Sequence, residues 1–151
     1  MHDILVGNDG SENSLKAVEW AAREAAILRA DLTVLSVCPA TPPAWGEGAD
    51  DGVESDGGIR ETCAAAEEQV GKVLARTGAD LPRPVTVRVI RGLPAEELLS
   101  AAAGAGMVVV GSRGAGGFRK LRLGSVSSYL AHSAHCPVVI IPDDGAWEEE
   151  A

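Results

Sequence analysis

Aromatic side chains are scarce in this chain: one Phe, one Tyr and three Trp among 151 residues. So few rings cannot build a core. The interior must come from Val, Leu, Ile and Ala, which favours buried parallel strands covered by Ala-rich helices. Cysteine is scarce too. Cys38, Cys63 and Cys136 are odd in number, widely spaced and without a CxxC pair. That argues against a disulfide framework and for a reduced, intracellular compartment. No apolar run reaches the roughly 20 residues that span a bilayer. The opening MHDILVGNDG lacks the basic and apolar regions of a secretory leader. These absences lead to the expectation of a cytoplasmic protein with no membrane partner.

Basic charge is also short. Thirteen Lys and Arg face 22 Asp and Glu, for a net charge of −9. A nucleic-acid partner is not expected, because phosphate contacts need a basic face. Acids, in turn, are missing from one place: Leu98 to Pro142 contains no Asp or Glu, yet carries Arg113, Arg119, Lys120 and Arg122. Either something anionic sits there, or the stretch consists of buried elements that need no acids.

What is present fits one globular domain. Hydrophobic residues make up 46% and charged residues 23%, and the length suffices for a sizeable core. Asp3–Asn8 reads as a buried strand and Asp9-Gly10-Ser11 as a turn into a helix, with Ser11 as N-cap and Glu12 in the first turn. That helix runs to about Arg29 with Leu15, Val18, Ala22 and Ala25 on one face, and Glu12–Lys16 and Glu19–Arg23 pairs on the other. Asp31–Cys38 is a second strand. Pro39–Gly58, rich in Pro, Gly and Asp around Trp45, reads as a long mobile loop. Arg60 to about Thr77 is a second helix and Pro84–Ile90 a third strand, whose alternating Val85, Val87 and Val89 suit a sheet edge. Pro94 opens a third helix, with Glu96 and Glu97 in its first turn, and Gly104 and Gly106 end it. Met107–Val110 is a fourth strand, Gly111–Leu123 a glycine-rich basic loop, Gly124-Ser125 the start of a fourth helix ending near His135, and Val138–Ile141 a fifth strand. Asp143–Ala151 is an acidic tail, read as frayed. Alternation of this kind predicts an α/β fold: a single-domain, five-stranded parallel sheet with helices on both faces.

The chemistry concentrates in Gly111-Ser112-Arg113-Gly114 and Gly124-Ser125-Val126-Ser127. Gly111 and Gly114 offer positive φ and close backbone approach to a ligand. The first N–H groups of the helix after Gly124 lack intrahelical partners and, with the helix dipole, make an anion site. The hydroxyls of Ser125 and Ser127 can donate to phosphate oxygens. A Walker A loop would need a Lys before Ser125, and a dinucleotide fingerprint would lie after the first strand, where Gly7-Asn8-Asp9-Gly10-Ser11 does not fit.

The spacing Gly111-x2-Gly114-x9-Gly124-Ser125 resembles the ATP-binding signature of the universal stress protein family. The resemblance extends to ILVGNDGS near the start, Gly92-Leu93-Pro94, and Ser125-Val126-Ser127 followed by His132 and Cys136-Pro137-Val138. It covers residues 1–142, leaving 143–151 as the tail. It implies strand order 3-2-1-4-5 in a Rossmann-like, adenine nucleotide α-hydrolase-like fold, with a stress-response regulatory role and no dedicated enzyme activity beyond slow ATP hydrolysis or autophosphorylation. Carried over by position, Asp9 would meet the adenosine end beside Gly7 and Asn8, and Val37 would pack on adenine. Val110, Gly111, Arg113 and Gly114 would line the ribose and first phosphates. Gly124, Ser125, Val126 and Ser127 would hold the distal phosphates of ATP (or ADP or AMP), with or without Mg²⁺. The resemblance also implies a homodimer paired through Val138–Ile141, an apolar strand that would otherwise leave an open edge. The chain departs from many members in having Gly106 where they carry an Asp before the fourth strand.

Other signals read as structural. His132, His135 and Cys136 lack a fourth zinc ligand, and His near a helix C-terminus is a favourable end charge. Cys136 reads as an inert core thiol. Asp50, Asp51, Glu54 and Asp56 read as a solvated loop cluster, and Trp45 as cover for a surface patch. No nucleophile pairs with Asp9, so no catalytic constellation is expected.

Overall fold

The computed structural model describes residues 3–39, 51–113 and 123–143. Its elements follow one another as β1 (Asp3–Gly7), α1 (Glu12–Leu28), β2 (Asp31–Pro39), α2 (Asp51–Thr77), β3 (Thr86–Gly92), α3 (Pro94–Ala102), β4 (Met107–Gly111), α4 (Ser125–Ser133) and β5 (Val138–Ile141). All pairings are parallel, in the order β3-β2-β1-β4-β5. The α/β class and the strand order therefore agree with the reading of the sequence.

The period of two divides the strand side chains between two cores. Ile4 and Val6 of β1, Leu32 and Val34 of β2 and Val109 of β4 join one cluster with α1 and α2. Leu5, Leu35, Val108 and Val110 join the other, with α3 and α4. Both faces are thus buried, as a parallel sheet requires. Helix α1 presents Ala17, Ala21, Ala22 and Ala25, all fully buried, so its axis can lie close to the sheet. The Ser11 hydroxyl caps it, accepting from the Ser14 N–H at 3.2 Å. It stops at Arg29, which adopts the left-handed region at φ 55°. Leu15, expected on the buried face, is half-buried and packs against the same cluster. Of the expected pairs on the outer face, Glu19–Arg23 forms at 2.8 Å.

Several boundaries move. Residues 51–58, expected in a loop, are the first turns of α2. Gly and Asp have low helix propensity and argued for a loop, but acidic residues are favourable in the first turns of a helix, and the helix they begin is long. Trp45 and Asp50 lie outside the described residues, as do the tail beyond Asp143 and Arg119, Lys120 and Arg122. Strand β3 is Thr86–Gly92 rather than Pro84–Ile90; Thr86 and Arg88 on one face and Arg91 on the other are exposed, as suits the sheet edge it occupies. Helix α4 ends at Ser133, short of His135. At Gly106, the backbone N–H donates to Asp3 O at 2.8 Å, so the turn into β4 is held by main chain. Cys136 is half-buried against the second cluster rather than fully enclosed.

Candidate functional site

Strands β1 and β4 are neighbours at the centre of the sheet, but their chains leave it on opposite faces, β1 toward α1 and β4 toward α4. Such a switch point opens a crevice beyond the C-terminal strand ends. Here the crevice has a volume of about 1000 Å³. Eleven of the twelve residues expected at the site line it: Gly7, Asn8, Asp9, Val37, Val110, Gly111, Arg113, Gly124, Ser125, Val126 and Ser127. Gly114, the twelfth, lies outside the described residues.

The β1–α1 turn is tied to itself. Asn8 continues the ladder by donating its N–H to Leu35 O at 2.9 Å. Its buried Oδ1 accepts from the Gly10 N–H at 3.0 Å and the Ser14 hydroxyl at 2.9 Å. Asp9 is exposed, and its Oδ1 accepts from the Ser11 N–H at 2.9 Å and the Ser11 hydroxyl at 2.5 Å. Gly10 takes φ 84°, which a side chain would resist.

The other wall is the mouth of the loop after β4. Ser112 O accepts from the Gly124 N–H at 2.5 Å and from the Ser127 hydroxyl at 3.0 Å. The two ends of the 113–123 segment are thereby held together at its base. Two expectations change here. Ser127 is 2% exposed and spends its hydroxyl proton inside the protein, leaving the Ser125 hydroxyl, on an exposed residue, as the one turned outward. Gly111 does not have positive φ; its missing side chain instead admits Asn13, whose Oδ1 would lie 2.6 Å from an added Cβ.

Helix α4 has Gly124 as its N-cap, a residue with no side chain to cap the first N–H groups, and its first intrahelical bond runs from Ser128 N to Gly124 O at 3.0 Å. The N–H groups of the first turn thus face the crevice mouth without intrahelical partners. Beside them, the Nε of Arg113 is buried with no hydrogen-bond partner among the described residues. An unsatisfied buried donor is costly, and Arg113 lines the same crevice as Ser125, Val126 and Ser127.

The sequence reading missed part of the lining. Helix α2 contributes Thr62, Ala66 and Gln69, and α3 contributes Pro94 and Leu98. Ser112, Ser14 and Asn13 proved to be buried polar residues of the framework. Asn13 had a legible signal, since it shares the i, i+4 stripe of Ala17 and Ala21, and a polar residue on a buried stripe needs partners. The α2 residues had none, because the packing of α2 on α1 and β3 that places them is purely tertiary. Next to Thr62, the Cys63 thiol is pushed above its ordinary range, first by desolvation and then by the charge of Glu67, whose Oε1 accepts from Sγ at 3.6 Å. His132 and His135 are exposed, and no trio of possible metal ligands occurs among the described residues.

The family model described as the universal stress protein family matches residues 1–142. The chain belongs to the universal stress protein family. A universal stress protein of Mycobacterium tuberculosis strain H37Rv is 37% identical over 152 residues, spanning 95% of this chain and 52% of that protein. The chain spans about half the length of the curated relatives it matches. Among solved structures, the universal stress protein UspA from Lactobacillus plantarum superposes with TM-score 0.78 at 26% identity, covering 93% of this chain and 97% of that one. A universal stress protein solved in complex with cAMP gives TM-score 0.66 at 25% identity, covering 93% and 95%. The family fold and its order of strands are therefore present here, and no helix among the described residues is long and apolar enough to cross a membrane.

Proposed function

We propose that this chain is an adenine-nucleotide-binding regulatory module of the stress response, which holds ATP, ADP or AMP in the crevice between β1 and β4. The observation that carries the reading is two kinds of donor on one crevice: the first-turn N–H groups of α4, which have no intrahelical partner, and the buried Nε of Arg113, which has no hydrogen-bond partner among the described residues. The relative solved with cAMP supports an adenine nucleotide as the occupant. In this reading the N–H groups of Ser125, Val126 and Ser127 and the Ser125 hydroxyl hold phosphate oxygens. Arg113 adds charge, with Gly114 and Gly124 giving room in the loop, and Val37 and Val110 pack on the nucleoside. Asp9, with Gly7 and Asn8, meets the sugar, and its distance along the site from the phosphates limits repulsion. Mg²⁺, if it accompanies the nucleotide, is held by phosphates and water, since Mg²⁺ commonly keeps several waters.

Among the described residues of the lining no nucleophile is paired with a base; in this reading the protein acts by binding and any hydrolysis is incidental. The protein works in the cytoplasm, with residues 1–142 as the functional domain and 143–151 as an acidic appendage. Its net charge of −9 opposes nucleic acid as a partner. A homodimer forms through β5, which lies at the sheet edge with Val138, Val139, Ile140 and Ile141 only half-buried. That edge also favours a second reading, a dimeric interaction protein that needs no ligand.

The test separates the two. Purified protein is denatured, and released small molecules are identified by chromatography and mass spectrometry, followed by calorimetric titration of the emptied protein with ATP. Adenine nucleotide in either step supports the module. None released and no heat on titration leaves the loop as architecture and favours the ligand-free dimer.

A further inference from the structure

The carboxamide of Asn13 joins three segments that are far apart in the chain. Its Oδ1 accepts from the Arg113 backbone N–H at 2.9 Å, across 100 residues. Its Nδ2 donates to Ile141 O at 3.1 Å, across 128 residues. Ile141 O also accepts from the Ser112 N–H at 2.8 Å, and the Ser112 hydroxyl accepts from the Asp143 N–H at 3.1 Å. Asn13 is 6% exposed and both of its polar atoms are used. One amide group thus pins the second residue beyond β4, at the mouth of the crevice, to the last residue of β5.

Gly111 points to the same residue independently. A Cβ there would meet Asn13 Oδ1 at 2.6 Å, Cγ at 2.8 Å and its carbonyl carbon at 3.2 Å. Real Cβ atoms do not approach so closely, and the obstacle includes Asn13 main chain. The first glycine of the Gly111-x2-Gly114 spacing therefore has a use other than flexibility: it makes room for the side chain that fixes Arg113.

We propose that Asn13 is the positioning residue of the anion site: by holding the Arg113 backbone, it keeps the Arg113 guanidinium in the crevice. Asn13 itself touches no ligand; it acts through Arg113. The affinity arm of the test rests on the nucleotide reading above, and the exchange arm does not.

The affinity arm is a double-mutant cycle read by calorimetric titration with ATP. Asn13→Ser alone weakens binding about tenfold, Arg113→Gln alone does likewise, and the double variant binds within about twofold of Arg113→Gln, because residues acting as a unit are not additive. Losses that multiply, or wild-type affinity in Asn13→Ser, overturn the proposal. The exchange arm follows amide hydrogen exchange without ligand. In Asn13→Ser the Arg113 amide exchanges faster while those of Val6 and Val109 keep their wild-type rates. Unchanged protection at Arg113 overturns the proposal even if the protein binds no nucleotide at all. Should Asn13→Ser fail to fold, Gly111→Ala serves: it crowds the carboxamide from the other side and speeds the same amide, and an unaltered Arg113 amide in that variant also counts against the proposal.

Discussion

At the scale of single residues, the two serines of the α4 start differ in a way their spacing conceals. Ser127 is buried and donates to Ser112 O, whereas Ser125 is exposed. Ser127→Ala is expected to lower unfolding free energy by about 1 kcal/mol, the net worth of one buried hydrogen bond, with little change in ATP affinity. Ser125→Ala is expected to do the reverse, leaving stability within about 0.5 kcal/mol and weakening ATP severalfold. Urea unfolding and calorimetric titration of both variants check this. Arg113→Gln is expected to lose about tenfold in ATP affinity, near 1.4 kcal/mol, and to lose less at high salt, where charge is screened. Its folding stability should not fall, since the Nε it removes has no partner among the described residues.

At the scale of elements, backbone conformation decides where helices meet strands. Gly92 links β3 to α3 at φ 153°, and an added Cβ would sit 2.7 Å from Glu97 Cγ. Gly92→Ala is expected to cost about 1–3 kcal/mol, as held strain of this kind does, measured by chemical unfolding. Arg29 ends α1 in the left-handed region and donates to Asp80 O at 2.9 Å from an exposed position. Arg29→Gly is expected to raise stability by up to about 1 kcal/mol, because the steric cost for a side chain there exceeds the value of an exposed pair. The elements themselves were largely legible from the sequence. Val-rich runs bounded by Gly and Pro marked β1, β2, β4 and β5, and Ser11 and Pro94 marked helix starts. The beginning of α2 was not legible, because Asp51-Gly52 and Gly57-Gly58 read locally as breakers while helix length is settled by tertiary packing. At the site, the glycine spacing drew attention to the segment between β4 and α4, whose ends line the crevice. It did not reveal that Gly111 faces Asn13, since two residues 98 positions apart meet only through the β1–β4 pairing and the α1 crossover.

At the scale of the whole molecule, the crevice and the β5 edge are joined by one set of hydrogen bonds. Ser112 holds Gly124 on the crevice side and Ile141 on the edge side, and Asn13 bridges the same two regions. If β5 pairs with a second copy, nucleotide and assembly share a linkage, and by reciprocity whatever one does to the other is returned. Sedimentation of the purified chain at micromolar concentration is expected to give twice the 15.5 kDa chain mass, and monomer alone would refute the pairing. The claim on which the rest depends is that the donors at the end of β4 and the start of α4 hold an adenine nucleotide. Its most direct measurement is titration of isotopically labelled protein with ATP, followed by backbone amide chemical shifts. Saturable shifts are expected at Arg113, Ser125, Val126 and Ser127, with smaller ones at Asp9 and Val37 and none at β3. Shifts confined elsewhere, or no shift at millimolar ATP, would contradict it.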